Sequence, residues 1–366
     1  MNGTQTTPFA VSPTIAAVKR RLRRGLAWLH LWVGLTVGSI FALNGVAGSV
    51  LVFHTDLLRW QHPELIAHKP HADPVVLEQL VAQWAPRGVR SIDLPKPELP
   101  VWQAYFANGE RAYFAPEDGA LLLQRAPDND VLMWLHEWHV ALLAHDSGKQ
   151  VLGVIGWVSL GLLVSGLYLW WPKPGRWRSH LRVHTHPPVR RWVTWHRSGG
   201  ALLLPLLLLA TVTGVGMVYG KGFHAVFTAA LGGAVPTLPK LKGAPDEVDW
   251  NRVLERAHHA LPGARLSRVS MPKPDSRVIS FRARAAGEWH PNGRSEVHVD
   301  AAGTRVLDVF DATAQAAGAR ASAALYPLHI GVVGGSAARW VTAIVGLLPM
   351  FLLVTGFLFW RRRTGH

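Results

Sequence analysis

Four stretches of nearly unbroken apolar sequence punctuate the chain: Leu26–Phe53, Val151–Trp171, Gly199–Tyr219 and Trp340–Trp360. Each reaches or exceeds the ~20 residues that a helix needs to cross a bilayer, so the pattern predicts four transmembrane helices. The segments between spans one and two, and between three and four, have a different texture. Val75, Val76, Leu80 and Val81 recur at helical spacing within Pro74–Trp84. Val101–Phe106 and Arg111–Phe114 alternate as strands do, and Asn108-Gly109 supplies a hairpin turn. In the second segment the same reading gives a helix over Val248–Leu261 and strands over Arg265–Ser270, Val278–Ala283 and Ser295–Asp300, with a turn at Asp300–Gly303.

The pattern is written twice. An offset of 190 residues carries His139 onto His329 and Ser165–Trp170 onto Thr355–Trp360. An offset of 166 carries Trp28-Leu29-His30 onto Thr194-Trp195-His196, and Gly48 onto Gly214. Leu94–Pro97 also answers to Met271–Pro274. Repetition at this scale dictates architecture. The expected fold is membrane α-helical, with four transmembrane helices in two parallel repeats, each enclosing an external α+β domain.

Charge sets the orientation. All 23 acidic residues lie within the two long segments, about 54–150 and 220–338. The loop Pro172–Arg197 carries seven Lys and Arg and no acid, the N-terminal stretch is basic from Lys19 to Arg24, and Arg361–Arg363 close the last span. By the positive-inside rule both termini and this loop are cytoplasmic and the long segments face the periplasm of a bacterial inner membrane. The expected layout is a cytoplasmic N-terminus (1–25), a first span (26–53), a periplasmic domain with a juxtamembrane helix (54–150) and a second span (151–171). A basic loop (172–198), a third span (199–219), a second periplasmic domain (220–339), a fourth span (340–360) and a tail (361–366) follow. Residues 1–18 read as loose, and the first span is too long for a signal peptide, so it reads as a retained anchor. Topology accounts for the formal charge of +15, so the expected partner is the lipid bilayer and not nucleic acid.

Histidine carries the candidate chemistry. His30 and His196 fall at matching depth near the cytoplasmic ends of spans one and three, and His139 and His329 precede spans two and four at the outer surface. Neutral imidazole is an axial ligand of haem iron, and facing helices are where such sites are built. The residues therefore point to haem b, one or two per chain, with His30 paired to His196 and His139 to His329. The chain has no cysteine, which excludes disulfides, thiolate clusters and covalent c-type attachment. His136 and His54 are alternates at the outer site; an interfacial histidine with no cofactor is the competing reading at each position. Arg24, Arg191 and Arg197 serve either haem propionates or the positive-inside anchor. His180, His184 and His186 form a basic cluster unsuited to a cation, and His258, His259, His290 and His298 read as surface residues. The tryptophans near the span ends read as interfacial belts, with Trp32 and Trp195 as pocket candidates. Gly34, Gly38, Gly48 and Gly161 suit close approach of helices or of a flat macrocycle. His30 to His54 covers 24 residues, about 36 Å of helix, so one haem plus substrate contacts is a variant of the two-haem layout. No Walker motif, nucleophile–base pair or dinucleotide fingerprint is present.

Leu29-His30, Leu135–His139 with Ser165–Trp170, Trp195-His196-Arg197, Leu328–Gly331 and Thr355–Trp360 together resemble the PepSY-associated transmembrane family, from about residue 20 to 363. The external units then look like PepSY domains. In build the chain is most similar to the inner-membrane siderophore reductases of the ferrioxamine and pyoverdine type. That resemblance implies haem between membrane helices, a cytoplasmic or quinol electron donor, and reduction of a periplasmic ferric siderophore. Reduction to Fe(II) loosens hard-oxygen chelation. Ile330 stands where the family usually has threonine. Longer members carry a flavin-binding reductase tail, which a chain ending at His366 is expected to lack. The alternatives are a membrane-anchored PepSY protein that binds or inhibits periplasmic peptidases, and a b-type cytochrome serving another periplasmic oxidoreductase.

Overall fold

The computed structural model describes residues 13–233, 238–243, 248–271 and 275–364. Most of the loose N-terminal stretch and Pro272–Pro274 of the matched Pro-Lys-Pro segment lie outside them. In chain order the elements are α1 (Pro13–Leu35), α2 (Val37–Leu51), α3 (His54–Gln61), α4 (Pro74–Trp84), β1 (Val89–Asp93), β2 (Trp102–Phe106), β3 (Arg111–Phe114) and β4 (Leu121–Arg125). Then come α5 (Val131–Ala141), α6 (His145–Trp170), α7 (Trp177–His180), α8 (Pro188–Leu202), α9 (Leu204–Val218), α10 (Gly220–Leu231) and α11 (Trp250–Ala260). β5 (Arg265–Ser270), β6 (Val278–Arg284), β7 (Ser295–Asp300), β8 (Val306–Phe310), α12 (Ala317–His329) and α13 (Gly335–Thr364) complete the fold. They sort into two compact units. One comprises the chain up to Gly45, Val154–Thr211 and the chain from Leu347; the other comprises Val46–Gly153 and Val212–Gly346.

The first unit holds apolar helices. Two helices, His145–Trp170 and the one from Gly335, are each long and apolar enough to cross a membrane, and two bent pairs meet the same test if each pair is one span. The uninterrupted first and third stretches expected from sequence are thus broken. α1 and α2 meet at 47° and α8 and α9 at 63°. At the first break the Thr36 hydroxyl donates to the Trp32 carbonyl at 2.8 Å and the Ser39 hydroxyl to Leu35 at 2.7 Å, competing with the helical ladder. At the second, Pro205 lacks the N–H that would continue the ladder across Leu203.

The second unit is built on one eight-stranded antiparallel sheet of order β4-β3-β2-β1-β5-β6-β7-β8. Two separate α+β domains are the sequence expectation; instead the halves share a sheet, joined where β1 pairs β5 (Ser91↔Ser270, Ile92↔Val269, Asp93↔Arg268). An antiparallel edge left open is a template for unwanted pairing, and this junction closes it. Leu77, Leu80 and Trp84 of α4 and Trp250, Val253 and Ala257 of α11 pack on one face, over Ile92, Trp102, Val269 and Phe281. Trp102 and Phe281 are fully buried, and burying a large apolar side chain contributes roughly 1.5–3 kcal/mol.

α5 is anchored to this sheet. Asp130 caps it by accepting from the Met133 N–H at 2.8 Å and pairs with Arg125 at 2.7 Å. Burial alone would raise the Asp130 carboxyl, but the bonds from Arg125 and the backbone outweigh it and hold the group below the usual carboxylate range. The break before α6 falls at 142–144, where Leu142, Leu143 and then His145 adopt left-handed backbone (φ 49°, 61° and 51°). Gly148 lies inside α6. Its role is close packing, since a Cβ there would fall 1.8 Å from the Ala141 carbonyl oxygen.

Candidate functional site

Four histidines form two facing pairs, one within each unit. In the first unit the His30 ring of α1 and the His196 ring of α8 have centroids 6.2 Å apart at an interplanar angle of 83°. His30 Nδ1 lies 2.8 Å from the Ser165 hydroxyl. That hydroxyl already donates to the Leu162 carbonyl at 2.9 Å, so it accepts from His30 Nδ1–H. His196 Nδ1 donates to the Leu352 carbonyl at 2.8 Å. Both rings are thereby held in the tautomer that leaves Nε2 with its lone pair. Leu162 and Leu352 are related by the 190-residue offset, so one carbonyl position orients both rings, through a serine in one case and directly in the other.

In the second unit the His139 ring of α5 and the His329 ring of α12 have centroids 6.1 Å apart, tilted by 37°. The Thr213 hydroxyl of α9 lies 3.0 Å from His329 Nδ1. It is the ring of His139 that faces His329. His136 and His54 sit beside the pair: burial, then Arg111, His54 and His139, pushes His136 down to about 3, and burial, then Arg111, Arg125 and Lys96, pushes His54 down to about 4.

Each ring rests on a glycine. A Cβ at Gly166 would come 3.2 Å from His30, at Gly356 3.1 Å from His196, at Gly48 2.8 Å from His139 and at Gly214 3.2 Å from His329. Gly34 and Gly161 meet nothing within 4 Å, so the close approach expected of them belongs to Gly166 and Gly356. Those two hid in the apolar runs; the repeated Ser/Thr-Gly dipeptide at 165 and 355 was the available signal.

The donor set fits haem. Two metal–imidazole bonds of about 2 Å each, plus the distance from nitrogen to ring centre on either side, come to about 6 Å. Nδ1 of an axial histidine is ordinarily tied to an acceptor, as in His30 and His196. In the first unit Arg191 stacks over Trp192 at 4.2 Å, and the Nε atoms of Arg191 and Arg197 are buried with no hydrogen-bond partner among the described residues, as carboxylate-binding guanidinium groups would be. Arg24 is exposed. Trp32 packs on Trp360 at 6.0 Å and Trp195 on Phe351 at 6.1 Å. His180 donates from Nδ1 to the Arg176 carbonyl at 3.2 Å.

Two readings of the second unit need correction. His290 and His298 are not surface residues: they are 9% and 1% exposed. His298 lies on β7 with its Nδ1 3.0 Å from the Ser280 hydroxyl, and His290, in the connection between β6 and β7, packs on Tyr326 at 4.9 Å. No curated protein matches the chain. The family model of the PepSY-associated TM region matches residues 27–363, and the chain belongs to that family of membrane proteins.

Proposed function

We propose that the chain is a haem-containing inner-membrane reductase that delivers electrons to a periplasmic ferric siderophore and releases the iron as Fe(II). The observation that carries the reading is the pair of histidine pairs, each with rings about 6 Å apart and each backed by glycines. Haem bound at such pairs supplies reversible one-electron chemistry. His30 and His196 would hold an inner haem b and His139 and His329 an outer one. Ser165 and the Leu352 carbonyl orient the inner imidazoles, and Thr213 lies against His329. Gly48, Gly166, Gly214 and Gly356 keep the ring faces free of Cβ atoms, and Arg191 and Arg197 offer guanidinium groups for propionates. The electron donor is a quinol or a cytoplasmic reductant. Ferric iron takes one electron, and Fe(II) binds hard oxygen donors less tightly.

In this reading the α1–α2 and α8–α9 pairs, α6 and α13 are the four spans of two parallel repeats. The basic loop between α6 and α8 and both termini are cytoplasmic, and the sheet is periplasmic. The test has two steps. Purified protein, supplemented with haem during expression, should show a low-spin Soret band; absence of any such band would sink the proposal. Dithionite-reduced protein, freed of reductant and mixed anaerobically with ferric siderophores, should reoxidise as a ferrous chelator develops colour. A reduced spectrum that persists with every chelate would count against siderophore reduction.

A further inference from the structure

The face of the sheet opposite α4 and α11 carries more half-buried positive charge than its acids pair with. Lys96, Arg268, Arg282 and Arg294 surround His290 and, after burial itself, press its imidazole down to about 3. Asp93 is fully engaged: it pairs with Arg268 and accepts from Tyr105 at 3.1 Å and from Asn292 at 3.3 Å. Glu288 is spent on the backbone N–H groups of Ala285, Arg294 and Ser295 and on the Ser295 hydroxyl. Arg282 and Arg294 have no carboxylate within 4.0 Å among the described residues, and the Arg294 Nε is buried without a partner. Burial holds both guanidinium groups below their ordinary range. Glu296, opposite Arg282 across β6 and β7, offsets both charges at longer range but lies 3.6 Å from His298 and forms no ion pair with either arginine. A half-buried charge without a paired counter-ion is costly, and an anionic ligand would relieve it.

Arg294 opens onto a cavity of about 1060 Å³ between α10, α12 and the β7–β8 edge, at the upper end of the ~300–1,000 Å³ of small-molecule sites. Small residues such as Gly220, Ala229, Ala319 and Ser322 leave it unfilled. Lys221 and His224 line the wall facing Arg294, and Glu296 contributes a carboxylate against the two cations Arg294 and Lys221. His224 Nε2 is buried without a partner among the described residues. Tyr326 also lines it. The Tyr326 ring lies 4.9 Å from that of His290 and one helical turn before His329.

We propose that this cavity is the docking site of the iron chelate, and that Arg294, Lys221 and His224 select chelates of net negative charge. The inference rests on the reductase reading for the nature of its ligand, but not for its test. Gallium(III) chelates have the shape and charge of the ferric ones and accept no electron. Binding of an anionic gallium tris-catecholate and of a neutral gallium tris-hydroxamate to the full-length protein in detergent is followed by calorimetry, with and without haem. The anionic chelate should bind at least about tenfold more tightly and weaken as salt rises. Arg294→Gln should erase about that factor, Arg294→Lys should restore part of it, and Lys221→Gln, at an exposed position, should lower affinity a few-fold. Equal affinity for the two chelates, or an unchanged affinity in both glutamine variants, overturns the proposal. So does an Arg294→Gln protein that loses Soret absorbance per chain while binding the chelate normally, because the arginine would then belong to haem carboxylates. A protein that takes up no haem on supplementation yet still discriminates the chelates removes the reductase reading and leaves the docking site standing.

Discussion

The angle between two imidazole planes is a property of single residues with a spectroscopic consequence. Nearly perpendicular axial rings leave the two iron orbitals that overlap them close in energy, whereas tilted rings split them. With haem bound as proposed, the His30–His196 pair at 83° and the His139–His329 pair at 37° would give two different low-spin ferric EPR signals, one strongly anisotropic and one rhombic. His30→Ala or His196→Ala should remove the first, and His139→Ala or His329→Ala the second; loss in a crossed pattern refutes the pairing. His290 makes a prediction about acid. Its folded-state value is depressed to about 3, so below about 6.5 the unfolded chain binds a proton that the folded chain does not. Stability is fully present above that pH and falls as pH drops, by about 1.4 kcal/mol per unit for one such group. The groups facing it are Arg268, Arg282, Arg294, Lys96 and Tyr326. Thermal melts at pH 7.5 and pH 5 should differ less for His290→Gln than for the parent chain; an equal difference would place the acid sensitivity elsewhere.

At the scale of elements, α5 presents His139, and what fixes α5 is its first turn. Arg125 is 2% exposed on its side chain and its carboxylate partner is Asp130. Removing Asp130 takes away the helix cap and leaves that buried guanidinium without a counter-charge, held only by the Tyr113 hydroxyl at 3.2 Å, which costs about 3–5 kcal/mol. Asp130→Ala should thus lower the melting temperature markedly and, with haem bound as proposed, reduce its occupancy at the His139–His329 pair while sparing the His30–His196 pair. Asp130→Asn keeps the cap and should recover part of the loss. Much of the element pattern could be read in the sequence. Pro74–Trp84, Arg111–Phe114, Arg265–Ser270 and Ser295–Asp300 emerge with the bounds their periodicity predicts. β1, β4 and β8 do not stand out, because Val89–Asp93 and Val306–Phe310 mix charged with apolar positions as an exposed loop does. The alternation rule assigns such polar positions to solvent, whereas here Asp93 of β1 is buried against Arg268 and Ser280 of β6 lies against the buried His298. The bends at Thr36 and Leu203 were hidden for the opposite reason. Hydropathy reports length and apolarity, and is blind to a hydroxyl or a proline that redirects an apolar helix.

At the scale of the whole molecule, the sequence offset foretold which histidines face one another, but not that the two α+β segments form one sheet. Ile92 and Val269, paired at the junction, are both fully buried. The contacts that define the two units share one feature. His30 with His196, His139 with His329, β1 with β5 and Asp56 with Arg339 each link a residue before Trp171 to one after Pro188. The peptide between those points holds none of them together. Cut genetically within 172–187 and produced as two polypeptides from one transcript, the protein should reassemble, co-purify through a tag on either piece, and regain both EPR signals. Fragments that never associate would mean that these contacts alone do not hold the halves together. Where the pieces do reassemble, covalent continuity is a convenience of synthesis, and the molecule behaves as a heterodimer whose subunits happen to be read in one frame.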